Sequence, residues 1–224
     1  MSERPLWQQA RLFWWKRRHY DRNERVIRKL RLRWHMLRGE FYVRFPVIGN
    51  LLEALDEGRA EIEPWVLVEA GCWFALYPET ATARIGEGSI LNLGCMVAAT
   101  ERIDVGRHCM FANHCFLTDA DHRFDDPNLP VTYQGMRSKG PVTIGDSCWF
   151  GTNCVVTGGV TIGERTVVGA NSVVTSDLPP GVIAAGAPAR VIREIEFKKA
   201  HSAQEKNSSK GDGSGSLRGP GQRA

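Results

Sequence analysis

From Ile144 onward every sixth residue is large and apolar: Ile144, Phe150, Val156, Ile162, Val168 and Val174. Each is followed by Gly or Thr (Gly145, Gly151, Thr157, Gly163, Gly169, Thr175), and two places before each stands Val142, Cys148, Cys154, Val160, Thr166 or Ser172. A helix repeats every 3.6 residues and would drift out of this register. A lone strand would have no need of Gly or Thr after each large residue. The same frame recurs upstream around Val105, Phe111 and Leu117, around Ile85, Leu91 and Val97, and around Ile62, Val68 and Phe74. The second of these groups reaches Val105 only if two residues are inserted within Ala98–Arg102. The one large break runs from Leu117 to Ile144. Its residues 118–141 are polar and punctuated by Pro and Gly, and read as a loop ejected from the repeat.

Hexads suit a three-sided coil, with a short strand on each side and a turn at each corner. The large residue of every hexad then stacks on its counterpart in the adjacent coils. Residues 59–193 are therefore expected to form a parallel β-helix of roughly five coils. Five of the six cysteines (Cys72, Cys109, Cys115, Cys148, Cys154) fall two before a large residue, and Cys95 does so too once the insertion is placed. They read as small buried hydrophobes and reduced thiols, not as nucleophiles, zinc ligands or a disulfide framework.

The flanks differ from this core. The 224-residue chain carries a net charge of +4, but residues 1–45 hold 13 Lys+Arg against 4 Asp+Glu, and the rest holds 16 against 21. Residues 1–58 read as a basic, aromatic, helical extension. Its Ile27, Leu30, Trp34, Leu37 and Phe41 follow a 3–4 spacing that marks one helix face. Two roles stand for that stripe: packing on the main domain, or peripheral contact with a membrane through residues 1–45. No nucleic-acid motif accompanies the basic stretch. Residues 194–224 form a C-terminal segment that is polar and Gly/Ser-rich, and it is expected to be disordered from about 200. A hydrophobic content of 42% excludes a wholly disordered chain. The apolar runs are shorter than the ~20 residues of a membrane span, and no secretory h-region is present. The expectation is a cytoplasmic protein, with peripheral placement at the inner face of the membrane as a variant of it.

The stretches ILNLG (90–94), DADHRFDDP (119–127), GPVTIGDSCWFGTNCVVTGGVTIGERTVVGANSVV (140–174) and AAGAPARVIR (184–193) carry a family resemblance. In this order they resemble the hexapeptide-repeat acyltransferases, in the branch of the maltose, galactoside and colanic-acid O-acetyltransferases. The resemblance covers about half of the chain. It implies a left-handed parallel β-helix, an exception to the usual right-handed crossover. It also implies a homotrimer with sites between subunits, and acetyl-CoA as cosubstrate.

Acetyl transfer to a hydroxyl needs a base, and imidazole suits that task near neutral pH. His122, at the start of the ejected loop, stands where the family places its catalytic histidine. Of Asp119 and Asp121 beside it, either has the chemistry to orient the imidazole, but both read first as charges on a solvated loop. By the same resemblance, Asn92 touches the reacting groups, and the backbone N–H of Thr152 supplies an oxyanion donor. Trp149, Ala170 and Thr175 line the coenzyme, and Arg190 and Arg193 meet its phosphates. The acceptor is then a sugar, polysaccharide or glycolipid hydroxyl. N-acetyl transfer to an amino sugar or xenobiotic would use the same machinery. A non-catalytic scaffold and a metal-dependent hydratase are the readings from other classes. His108 and His114 occupy equivalent hexad positions, but no third ligand completes a zinc pattern, so no metal is expected.

Overall fold

A computed structural model of the chain describes residues 22–197. Residues 1–21, with Trp7, Trp14 and Trp15, lie outside the described residues, as does the tail expected to be disordered.

The hexads form a left-handed parallel β-helix with three faces. Face A stacks Tyr42–Val43, Leu67–Val68, Ile90–Leu91, Met110–Phe111, Trp149–Phe150, Val167–Val168 and Val182–Gly186. Face B stacks Ile48–Gly49, Trp73–Leu76, Met96–Ala99, Phe116–Thr118, Val155–Val156 and Val173–Val174. Face C stacks Ala60–Ile62, Thr82–Ile85, Arg102–Val105, Val142–Ile144 and Thr161–Ile162. The chain visits A, B and C in turn, and all neighbours in these stacks are parallel. The last strand, Ala189–Glu194, folds back antiparallel on Val182–Gly186 and closes the C-terminal end of face A.

Every large hexad residue named above is buried. Phe111 and Phe150, from successive coils, stack with ring centroids 4.6 Å apart and planes 9° from parallel. Truncating Phe150 to Ala should cost about 3–5 kcal/mol, because the rigid coils above and below cannot collapse into the void. The measurement is the shift of the denaturant midpoint at unchanged slope.

The smaller inward residues form two ladders of short donors. In one, Cys95, Cys115 and Cys154 point Sγ at the carbonyls of Ala112, Gly151 and Gly169 in the next coil, at 3.1–3.2 Å. In the other, Ser89, Cys109, Cys148 and Thr166 do the same to Gly106, Gly145, Gly163 and Pro179. All six thiols are buried and free. The neighbouring Cys148 thiol and burial together push the Cys109 thiol up, and Cys115 and burial do the same to Cys154. The same contacts lower the partner thiols Cys115 and Cys148, so what the six share is burial and an inward carbonyl to donate to.

The turn chemistry is more specific than the sequence suggested. The residue three places after the large one adopts a left-handed backbone, as in His108, His114, Ser147, Asn153, Arg165 and Asn171 (φ 54 to 61°). Glycine after the large residue is required at the corner between faces C and A. There a Cβ on Gly86, Gly106, Gly145 or Gly163 would come within 2.3–2.6 Å of backbone or side-chain atoms of the next coil. The left-handed corners also explain the histidine pair. His108 and His114 lay their rings over Gly88 and Gly94, where a Cβ would sit 2.4 Å from Nδ1. Among the described residues no group of three or more His, Cys, Asp or Glu is placed to hold a metal ion.

The extension departs from expectation in two ways. First, the long helix of the described extension is α1, Arg22–Gly39, which ends with Glu40 at φ 54°. Residues 42–56 build a first coil of strands plus a short helix, α2 (Leu51–Asp56), so the solenoid begins before residue 59. In that coil the buried Asn50 side chain exchanges two hydrogen bonds with the backbone of Leu76. Second, the stripe does not pack on the main domain. Ile27, Leu30, Trp34 and Leu37 are all exposed, and only Phe41, beyond the helix end, is buried. Leu32 and Met36 face the core instead, and Arg28, Arg31 and His35 pair with Glu53 and Asp56 of α2. The 3–4 period identified an apolar face correctly. It could not show that the first coil offers carboxylates to the opposite side of the helix.

Candidate active site

The ejected segment is an ordered hairpin. Ala120–His122 pairs antiparallel with Met136–Ser138, which sets His122 opposite Met136. His122 is exposed, and among the described residues its ring makes no hydrogen bond.

Asp119 is not a charge on a solvated loop. It is fully buried at the root of the hairpin, against the two-residue insertion. One carboxylate oxygen accepts from the backbone N–H of Thr100 (2.6 Å) and its hydroxyl (3.0 Å). The other accepts from the N–H groups of Glu101 and Arg102, both at 2.7 Å. The Asp119 carbonyl accepts from the Lys139 N–H, Lys139 pairs with Asp121, and Ser138 donates to Glu101 at 2.6 Å. Insertion and hairpin are thus one unit, fixing the strand that carries His122. Sequence reasoning missed this. The available signal was an acidic residue at the point where the chain leaves the coil, facing an insertion with unpaired amides.

The other candidates divide between places. Asn92, Thr152 and Ala170 line the corner between faces A and B. Asn92 Nδ2 donates to the Phe111 carbonyl at 2.8 Å, so its amide bridges coils. Thr152 lies two coils further along, roughly 10 Å at the usual strand spacing. Its N–H has no partner among the described residues, and its carbonyl accepts from Asn171. Trp149 is not buried: it is 51% exposed on face A, between Met110 and Val167 in register. Thr175 ends face B at the other corner, the one from which the hairpin departs. Arg190 and Arg193 are exposed on the closing strand. His122 and the Asn92–Thr152 edge therefore occupy different corners of one prism.

The outer surfaces of the three faces also differ. Outward positions on face A include Leu67, Ile90, Met110 and Trp149, and those on face B include Trp73, Met96 and Phe116. Face C carries Glu61, Arg84 and Asp104 in register. Two faces are apolar outside and one is polar.

Comparison with known proteins matches these features. Residues 141–176 match the model of bacterial transferase hexapeptide repeats. The chain is 36% identical over 172 residues to galactoside O-acetyltransferase of Escherichia coli, an alignment spanning 75% of this chain and 76% of that enzyme. This chain belongs to the hexapeptide-repeat acyltransferases. A solved structure of galactoside acetyltransferase in complex with coenzyme A aligns with a TM-score of 0.51 and 28% identity, covering 81% of this chain and 78% of that one. The family member also matches a protein of Mycobacterium tuberculosis named as an acetyltransferase, at 33% identity over 148 residues. It spans only about half (48%) of that relative's length.

Proposed function

We propose that the protein is an acetyl-CoA-dependent O-acetyltransferase acting on a hydroxyl of a sugar, polysaccharide or glycolipid, and that it works as a homotrimer with sites between subunits. The observation that carries the reading is the placement of His122. It is exposed on a hairpin locked at its root, on a different corner from the exposed edge of Asn92 and Thr152. A second copy packed through the apolar outer faces completes the set. The similarity to an enzyme acting on galactosides supports the acceptor class, and the buried reduced thiols fit the cytoplasm, where acetyl-CoA is made available.

Acetyl-CoA supplies an activated acyl group when bound. His122 takes the proton of the acceptor hydroxyl as its oxygen forms the new bond to the acyl carbon. The free N–H of Thr152 points at the negative charge that grows on the carbonyl oxygen. The C–S bond breaks, and the proton on His122 passes to the departing sulfur. Trp149 offers an exposed ring surface to the pantetheine arm along a groove that Ala170 lines and that Thr175, at the other corner, enters from the second copy. The guanidinium groups of Arg190 and Arg193 suit phosphate oxygens.

Calorimetry with CoA, together with thiol release from acetyl-CoA in the presence of sugars, tests this reading. Binding with sugar-dependent release is expected. Absence of binding would leave a scaffold instead. Trp149→Ala should weaken CoA binding by roughly tenfold, the loss expected when an exposed aromatic contact of about 1–2 kcal/mol is removed. Half-exposed as it is, the residue should change the denaturation midpoint little.

A further inference from the structure

Among the described residues the outward face of α1 has no partner. Val26, Ile27, Leu30, Trp34 and Leu37 are 57–77% exposed. At 100° per residue they fill one continuous arc of about 100°. Cations border this arc on both sides: exposed Lys29 and Arg33 on one, and Arg38, whose guanidinium lies over the Trp34 ring at 5.9 Å, on the other. The opposite side is fixed to the solenoid by Leu32 and by the ion pairs of Arg28 and Arg31 with Glu53 and Asp56. These partners all belong to the first coil, so α1 sits at the N-terminal end of the β-helix with its apolar arc turned away from the molecule. No helix among the described residues is long and apolar enough to cross a membrane.

We infer that this face of α1 docks in the plane of an anionic phospholipid surface. An apolar arc bordered by Lys and Arg, with a Trp at its edge, has the chemistry of an interfacial helix: the arc enters the acyl boundary and the cations meet lipid phosphates. Charge complementarity selects this occupant over a second copy of the chain, because a like-charged helix would repel it. The sequence before the helix adds five cations (Arg4, Arg11, Lys16, Arg17, Arg18) against two acids, with Trp7, Trp14 and Trp15. The inference is independent of the transfer reaction. In a trimer of parallel solenoids the three helices would lie at one end, so that three weak contacts act together.

The test is co-sedimentation of the full chain with phosphatidylcholine vesicles, with and without phosphatidylglycerol. The variants are Leu30→Gln/Trp34→Gln/Leu37→Gln and Arg33→Gln/Arg38→Gln. These side chains are exposed, so folding should be unaffected, as checked by thermal melting and by mass from light scattering. Binding to the anionic vesicles is expected, falling in high salt, and lowered by roughly tenfold or more in the triple variant and several-fold in the double. Failure to pellet with anionic vesicles would overturn the inference, as would equal binding by the triple variant. A drop in oligomeric mass of the triple variant would also overturn it, by showing that another copy covers the face.

Discussion

Replacing His122 with Ala should lower acetyl transfer by about 10²–10⁴-fold, the usual contribution of a positioned general base. The side chain is exposed and its ring holds no other group in place. Stability, oligomeric mass and CoA affinity should therefore be those of the wild type. Turnover measured as free thiol, with CoA binding followed by calorimetry, separates the two effects. If the variant kept near-wild-type turnover, the hairpin would have to serve some purpose other than proton transfer.

Asp119→Ala should act through a different route. It removes the acceptor of three backbone N–H groups and one hydroxyl at a fully buried position. Leaving such donors unpaired costs about 2–4 kcal/mol in total, allowing for the partial exposure of the turn. It also frees the root of the hairpin, so kcat should fall while CoA affinity, set by groups elsewhere, holds. Asn is no rescue, since its amide NH2 would face donors. A variant with wild-type kcat and a wild-type midpoint would remove Asp119 as the positioning residue of His122.

Much of the solenoid was legible because the hexad is a physical constraint on space. An inward column admits large apolar residues at one position and small ones two places earlier, and the sequence repeats that demand coil after coil. The six cysteines were readable for the same reason. What periodicity could not carry was pairing between elements. The apolar stripe of α1 was visible, but the side of the helix that docks was not, because Glu53 and Asp56, which pair with Arg28, Arg31 and His35, lie on a helix too short to announce itself. Strands Tyr42–Val43 and Ile48–Gly49 carry two residues each, below the length at which an alternation can be seen. Asp119 looked like any loop acid, since its burial depends on the amides of a turn some 18 residues away in sequence. Within the candidate site, residue types and order were visible in the motifs. Their division between two corners of the prism was not, because it follows from where each hexad falls around the coil.

The most direct measurement is identification of the acetylated product. The purified full-length protein is incubated with acetyl-CoA and a panel of sugars, glycolipids and amines, and the recovered acceptor is analysed by mass spectrometry before and after treatment with hydroxylamine. An acetyl group on a carbohydrate, lost on hydroxylamine treatment as an ester must be and absent with His122→Ala, is the expected result. A hydroxylamine-stable amide on an amine, or thiol release with no acetylated carbohydrate, would contradict it.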